Sequence, residues 1–352
     1  MVKKVGWNFL PKETPVYPQV MHVPDLGEFR FIESLLQNAA PLQREAPATR
    51  TWLGVGDDAA IFDGWVVTKD LSVENTHFRL DWSTPEQAVE KHIVSNVSDI
   101  SSMGAAPRIA LLGLCLNKNW PEETRNRIRS AFSEGFAKRG ITLIGGDTVA
   151  GEEGVFSTTL LGTLAGDKPL VRSAVQPGDN LYVNGTLGKS GAGLWLLMNH
   201  PEDRDKFPSL VEYHLNPRIV EGAGAELARM GAYGACMDIS DGLSSELNHL
   251  ALSSGVSLEI DERLLPVDPE VVRMSEYYGL SPLDFALNGG EEYQLLFANS
   301  LWDTIFQEDN RYIMGRVCRI GTAVGLSGQA QVHMLCKNGD KRLVKPRAWS
   351  HL

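Results

Sequence analysis

Five short acidic motifs punctuate this chain: Gly56-Asp57-Asp58, Thr68-Lys69-Asp70, Val97-Ser98-Asp99, Gly145-Gly146-Asp147-Thr148 and Asp238-Ile239-Ser240-Asp241-Gly242. Each sets Asp beside Gly, Ser or Thr next to an apolar run. Carboxylates and hydroxyls are hard oxygen donors, the kind Mg²⁺ prefers, and Mg²⁺ keeps positions open for phosphate oxygens. Carboxylates spread over distant strand ends point to a polyphosphate handled through several metal ions. No Walker lysine loop accompanies them. Gly185-Thr186-Leu187-Gly188-Lys189-Ser190 comes nearest, but Val183 stands where that pattern needs Gly.

Taken singly, each motif has a plainer account. Gly54-Val55-Gly56-Asp57-Asp58-Ala59-Ala60 is an ordinary Gly-Asp turn, although two adjacent carboxylates repel. Asp70 ends an apolar strand and His77 follows it. Asp99 is different, because it falls inside a long apolar helix, where a carboxylate is costly unless paired or on a metal. In Gly145-Gly146-Asp147-Thr148 two glycines let backbone amides approach an anion, and a hairpin turn explains the motif equally well. Asp238 to Gly242 follows a strand and precedes a helix, so Ser240 and nearby amides sit at an anion-binding helix start, while Asp241 also suits an N-cap. Gly289-Gly290-Glu291-Glu292-Tyr293 pairs acids with an aromatic in a turn entering a strand, and composition alone favours a substrate-binding role no more than a plain turn.

The elements that position these residues alternate between strand and helix, which indicates an α/β or α+β protein. Helices are expected over Glu28–Asn38, Pro85–Met103 with a Ser83/Thr84 cap and a Gly104 stop, Pro121–Arg139, Gly191–Asn199, Pro217–Met230 and Ser244–Ser254. Strands are expected over Leu53–Val55, Ala59–Phe62, Trp65–Thr68, Ile109–Leu116, Ile141–Ile144, Ser157–Leu164, Asn180–Asn184, Ala235–Ile239, Ser257–Ile260 and Tyr293–Ala298. Pro169–Gly178 is the expected linker. This divides the chain into an extended Pro-containing leader (1–26), an N-terminal domain (27–168) and a C-terminal domain (169–352).

The 352 residues exceed one ordinary core, so two domains are the default. A hydrophobic content of 43% with 22% charged residues is that of a globular protein. The net charge of −11 excludes a general nucleic-acid binder but not a nucleotide enzyme, because bound Mg²⁺ reverses the local sign of an acidic site. Cys115, Cys236, Cys318 and Cys336 are far apart, which favours free thiols in a reducing cytoplasm over a zinc site. No apolar run reaches membrane-spanning length, and Met1–Asp25 has no signal-peptide core.

In this order the motifs resemble the thiamine-monophosphate kinase family of the aminoimidazole-ribonucleotide-synthetase-like superfamily. Further matches are Gly27-Glu28-Phe29, His77-Phe78, Met103-Gly104-Ala105, Arg172-Ser173, Pro177-Gly178-Asp179 and the ending Trp349-Ser350-His351-Leu352. The resemblance implies a two-domain fold whose N-terminal domain forms a β-barrel across a homodimer, with the active site in the cleft beside a C-terminal α/β domain. It implies that Asp58, Asp70, Asp99, Asp147, Asp238 and Asp241, with Thr68 beside them, hold Mg²⁺. Gly146, Asp147, Arg172 and Ser240 would contact ATP, and His77, Glu291 and Trp349 would contact thiamine monophosphate. Asp99, Asp147 and Arg172 would carry the transfer itself. The implied reaction is direct in-line phosphorylation of thiamine monophosphate to thiamine diphosphate. Other ATP-using enzymes of the superfamily with a different acceptor, and non-catalytic nucleotide- or metal-binding relatives, share the nucleotide carboxylates. Four positions depart from the family pattern: Lys69 for Thr, Asn75 for Gly, Glu292 for Asp and Ser350 for Asp.

Overall fold

The structure is a computed structural model and describes residues 52–301, 314–326 and 329–347. The expected leader, the Glu28–Asn38 helix and Trp349 lie outside the described residues. Two sheets organise the rest. The first contains β1 (Trp52–Leu53), β2 (Ala60–Phe62), β3 (Trp65–Val73), β4 (Ala105–Asn117), β5 (Thr142–Gly151) and β6 (Val155–Leu164), ordered β1-β2-β3-β6-β4-β5. The β4–β5 pair is parallel and the other pairs are antiparallel. Helices α1 (Pro85–Ser102) and α2 (Glu122–Ala137) cover one face, where Ile61, Val66, Val89, Ile93, Ile128, Phe132 and Phe156 form a core. The opposite face leaves Leu71, Leu111 and Val149 exposed.

The second sheet contains β7 (Asn180–Val183), β8 (Ala235–Asp238), β9 (Val256–Asp261), β10 (Leu295–Asn299), β11 (Cys318–Leu326), β12 (Val332–Leu335) and β13 (Lys341–Leu343). Its order is β13-β12-β9-β11-β7-β10-β8, with only β12–β9 parallel. Around it lie α3 (Lys189–Asn199), α4 (Pro208–Leu215), α5 (Ala223–Arg229), α6 (Leu243–Ser254), α7 (Pro269–Tyr278) and α8 (Pro282–Asn288). The architecture is a two-sheet α/β fold with mixed sheets. Neither sheet closes on itself among the described residues.

One expected helix shortens, the expected linker is anchored along its length, and the strand expected over Ile141–Ile144 runs on to Gly151, so Gly145-Gly146-Asp147-Thr148 lies within β5 and forms no turn. The helix expected over Pro217–Met230 is confined to Ala223–Arg229, because Gly222 adopts φ +80°, a left-handed conformation that interrupts a right-handed helix. The expected linker Pro169–Gly178 is a strap held on both sides. The Leu170 amide donates to Met103 O (3.1 Å), and Ser254 Oγ donates to Arg172 O (3.0 Å).

Helix α1 positions most of the site. Thr84 and Gln87 form a capping box at its start, Pro85 occupies the first turn, and Gly104 at φ +73° follows its end. At about 100° per residue its side chains divide into three faces. Val89, Ile93, Val97 and Ile100 enter the N-terminal core. His92, Ser95 and Asp99 face β3 and β6: His92 bonds Ser72 and Thr158 (2.8 Å each), Ser95 bonds Asp70, and Asp99 bonds Thr68. Gln87, Lys91, Ser98 and Ser101 face the C-terminal half, meeting Glu212, Glu291, Asp238 and Gly224 respectively.

The last contact is very close. A Cβ on Gly224 would lie 1.6 Å from Ser101 O. We expect Gly224→Ala to push α5 off α1 and to lower unfolding stability by about 2–4 kcal/mol, measured as a fall in the urea midpoint.

Candidate active site

Strand alternation settles the first motif pair. On β3, Thr68 and Asp70 share the face turned towards α1, and Lys69 points the opposite way. The Lys69 ammonium donates to Ser157 Oγ (2.7 Å) on the exposed side of the sheet. The Lys69 side chain therefore stays off the Asp70 face, and only its charge acts on Asp70. Asn75, where the resemblance implies Gly, takes φ +64°, a conformation that Asn tolerates better than most residues.

Asp70, Asp99 and Asp238 come together where β3, α1 and the end of β8 meet, and Asp58 approaches from the turn before β2. Thr68 Oγ1 donates to Asp99 (2.5 Å), and Ser98 Oγ donates to Asp238. Burial, then the charges of Asp70, Asp238 and Asp58, push the Asp99 carboxyl well above the usual range. Asp238 is also raised, by burial and then Asp58, with Ser98 and Arg172 opposing. Burial lifts Asp70, against Ser95 and Lys69.

Arg172 reaches this crevice from the strap. Its backbone amide donates to Asp57 (3.0 Å) and its Nε to Asp58 (3.0 Å). Asp57 is held at about 7, raised by burial and by Asp58. Burial opposes the charge on Arg172, but Asp58, Asp57 and Glu246 together hold the guanidinium firmly protonated. Asp58 Oδ2 is buried without a hydrogen-bond partner. Among the described residues no three His, Cys, Asp or Glu side chains converge enough to hold a metal as they stand.

The Asp238–Gly242 turn interlocks with the loop after α8. Ser240 O accepts from the Glu291 amide (2.7 Å), and Ile239 O accepts from those of Glu292 (3.1 Å) and Tyr293 (2.8 Å). Asp241 lies at the rim, and its amide donates to Glu246 Oε1 (2.9 Å). Glu291 is paired with Lys91 at 2.8 Å and lies 3.5 Å from His214 Nδ1. Burial works to raise Glu291, but Lys91 holds it below the usual carboxyl range. His77 lies beside this group. Its Nδ1 accepts from the Val73 amide (3.1 Å), and its carbonyl accepts from Lys91 (3.4 Å).

Gly146 and Asp147 are not gathered in. Register carries Leu71 across to Ser157, Gly113 and Asp147, so Asp147 shares the open face with Leu71, opposite Asp70. Three strand spacings put it about 14 Å away along the sheet. Asp147 Oδ1 accepts from the Thr148 amide (2.9 Å), and β5 is exposed along nearly its whole length. Lys91, His214, Glu246 and Tyr293 belong to the site but were not singled out as site residues from sequence. Lys91 and Glu246 sit in helices, where a charge ordinarily marks a solvated face. The available signal was that each lies next to an apolar stripe.

The family model for AIR synthase related proteins, N-terminal domain, matches residues 56–164, and that for the C-terminal domain matches residues 176–326. These matches and the two-sheet fold place the chain among AIR synthase related proteins. The thiamine-monophosphate kinase of Mycobacterium tuberculosis is 36% identical over 292 residues, covering 82% of this chain and 83% of the relative. That of Aquifex aeolicus is 31% identical, covering 94% of this chain and all of the relative. The solved structure of AaThiL complexed with AMPPCP and TMP has a TM-score of 0.77 at 30% identity, covering 94% of this chain and 99% of that one. The chain belongs to the thiamine-monophosphate kinase family. Hydrogenase maturation protein HypE, at 18% identity and a TM-score of 0.64, shares the fold.

Glu292 offers a test of the electrostatics. Its Oε1 accepts from the Ser190 amide (3.0 Å) and its Oε2 is buried without a hydrogen-bond partner. Burial raises its carboxyl from 4.5 to about 8. A raised carboxyl stabilises the fold fully below its unfolded value, and that stability is lost as pH rises through the folded value. Wild-type protein should therefore lose stability through this group between about pH 4.5 and 8. Glu292→Gln removes the loss, so its urea midpoint relative to wild type should rise from pH 5 to pH 8.5 by up to about 4 kcal/mol equivalent. A pH-independent difference would mean that Glu292 is ionised throughout.

Proposed function

We propose that this chain transfers the terminal phosphoryl group of ATP to the phosphate of thiamine monophosphate, giving ADP and thiamine diphosphate. The observation that carries this reading is the crevice of mutually repelling carboxylates with Arg172 on one side and the Lys91–Glu291 pair on the other. The acceptor phosphate is already ionised near neutral pH, so no strong base is needed. The barrier lies in bringing two polyanions together.

The donor set fits Mg²⁺. It consists of carboxylate and hydroxyl oxygens, and Asp58 Oδ2 is a buried oxygen with no hydrogen-bond partner. We assign Asp58, Asp70, Asp99 and Asp238 as the residues that would hold it, with Thr68 beside them and Asp241 at the rim. Bound Mg²⁺ supplies charge neutralisation for the two phosphates. Arg172 binds and orients the nucleotide phosphates, and Ser240 with its neighbouring amides presents donors at the start of α6. Glu291 and His77 hold the acceptor ring, with Trp349 assigned to the same end. Gly146 and Asp147 stand outside the crevice, and we assign them no part in its resting arrangement.

We further propose a division at 168/169 and a homodimer in which the N-terminal sheets complete a barrel. The open face carrying Leu71, Leu111 and Val149, and the exposed edge strand β5 with Leu143 and Ile144, support this, since a long apolar edge invites another chain. Leu71→Lys should shift the protein from dimer to monomer in sedimentation velocity, and a wild-type monomer would overturn the assembly. The described residues contain no helix long and apolar enough to cross a membrane.

The activity is tested by incubating purified protein with ATP, Mg²⁺ and thiamine monophosphate and measuring thiamine diphosphate by chromatography. Product should form and should disappear with EDTA. Asp99→Asn should lower kcat at least about 100-fold. It also relieves the repulsion that raises this carboxyl, so in EDTA at pH 8 its melting temperature should rise by about 1–2 °C, equivalent to about 1 kcal/mol for a chain of this length. Near-normal turnover in Asp99→Asn would overturn the metal assignment.

A further inference from the structure

Lys91 has no part in the acid crevice, yet it is a nearly buried charge on the most constrained helix of the molecule. Its side chain is 8% exposed, and it spans the two halves to reach both oxygens of Glu291 at 2.8 Å. A buried ion pair is weak support for a fold, because desolvation offsets most of the attraction. Glu291 itself is held in an unusual way. Its backbone takes φ +59°, and its amide is tied to Ser240 O at 2.7 Å. Tyr293, two residues on, takes φ +54°. Strained non-glycine conformations kept by surrounding bonds concentrate at functional sites.

Among the described residues, Glu291 is faced from both halves of the chain. Lys91 comes from α1, His214 from α4 lies 3.5 Å away, and His77 flanks the pair. Burial, then Lys91, depresses His214 to about 3, so it braces Glu291 as a neutral ring that also contacts Ser190 Oγ (3.2 Å). Lys91 is therefore the strong cation against this carboxylate. The Tyr293 hydroxyl feels Glu291 together with Asp70, Asp238 and Asp99. Glu291 thus stands one side chain away from the crevice, where the non-phosphate part of an acceptor would lie once its phosphate is in place.

We infer that Lys91 is a positioning residue that sets acceptor specificity, by holding the Glu291 carboxylate ionised and aimed at the cationic nitrogen heterocycle of the acceptor. Lys91 does not touch the acceptor. It bridges the two halves, so it also fixes the distance between the heterocycle end of the site on the C-terminal half and the carboxylates Asp70 and Asp99 on the N-terminal half. The inference rests on the proposed function, because it takes the acceptor to be a phosphorylated cationic heterocycle.

The experiment is a kinetic double-mutant cycle on the full chain with Lys91→Met, Lys91→Arg, Glu291→Gln and the Lys91→Met/Glu291→Gln double variant. Lys91→Met should raise KM for thiamine monophosphate about 10–100-fold, leaving KM for ATP and kcat within about threefold. Lys91→Arg should recover most of the loss, and the double variant should be no worse than Glu291→Gln alone. Equal losses for both substrates, or additive effects in the cycle, overturn the role of Lys91. If Lys91→Met fails to fold, Lys91→Arg against Glu291→Gln decides: an arginine variant as impaired for the acceptor as Glu291→Gln overturns it. Wild-type protein with no turnover of thiamine monophosphate overturns the functional reading instead, and the specificity role with it.

Discussion

Burying several carboxylates in one crevice is the constraint that shapes this protein. Asp238 is buried, Asp70 and Asp99 are half-buried beside it, and Asp99 and Asp238 also feel the other carboxylates. Such a group is tolerated only if donors face it. Thr68, Ser98 and Ser95 supply hydroxyls, and Arg172 supplies the one nearby guanidinium among the described residues. These partners offset the charge without cancelling it. A crevice left acidic in this way is destabilising in isolation and suited to multivalent cations and phosphates, so function is stored as electrostatic tension.

Helix α1 makes the arrangement possible because it is committed on all sides. One face anchors it in the N-terminal core, a second brings Asp99 over β3, and a third joins the C-terminal half through Lys91 and Ser98. The close approach of Gly224 to Ser101 removes any slack at its C-terminal end. The strap through Leu170 and Arg172 closes the other side of the crevice. The two halves therefore meet through polar contacts at the site, and Val171 and Ile219 pack from the C-terminal side onto the N-terminal core.

Three of the four departures from the family pattern have local explanations, and Ser350 lies outside the described residues. Lys69 is harmless to its neighbour Asp70 because strand alternation sends it through the sheet to Ser157. Asn75 keeps the left-handed turn that Gly would otherwise supply. Glu292 is buried and turns towards the start of α3, where its Oε1 accepts from the Ser190 amide.

Much of this was legible in the sequence. The Pro85–Ser102 helix follows from its cap, its apolar period and its stop, and the pairing of Thr68 with Asp70 on one face follows from a period of two. The order of the acidic motifs was enough to suggest a phosphate site. Three-dimensional structure alone decided which carboxylates meet. The resemblance gave Asp147 the same role as Asp99, but the face it occupies depends on the register of three neighbouring strands, which no local pattern encodes. Lys91, Glu246 and His214 look like solvated or core residues until a distant loop supplies Glu291 or Asp241. Local propensity follows from neighbours within a few positions, whereas burial and charge pairing are set by contacts 100–200 residues apart, such as the one between Lys91 and Glu291.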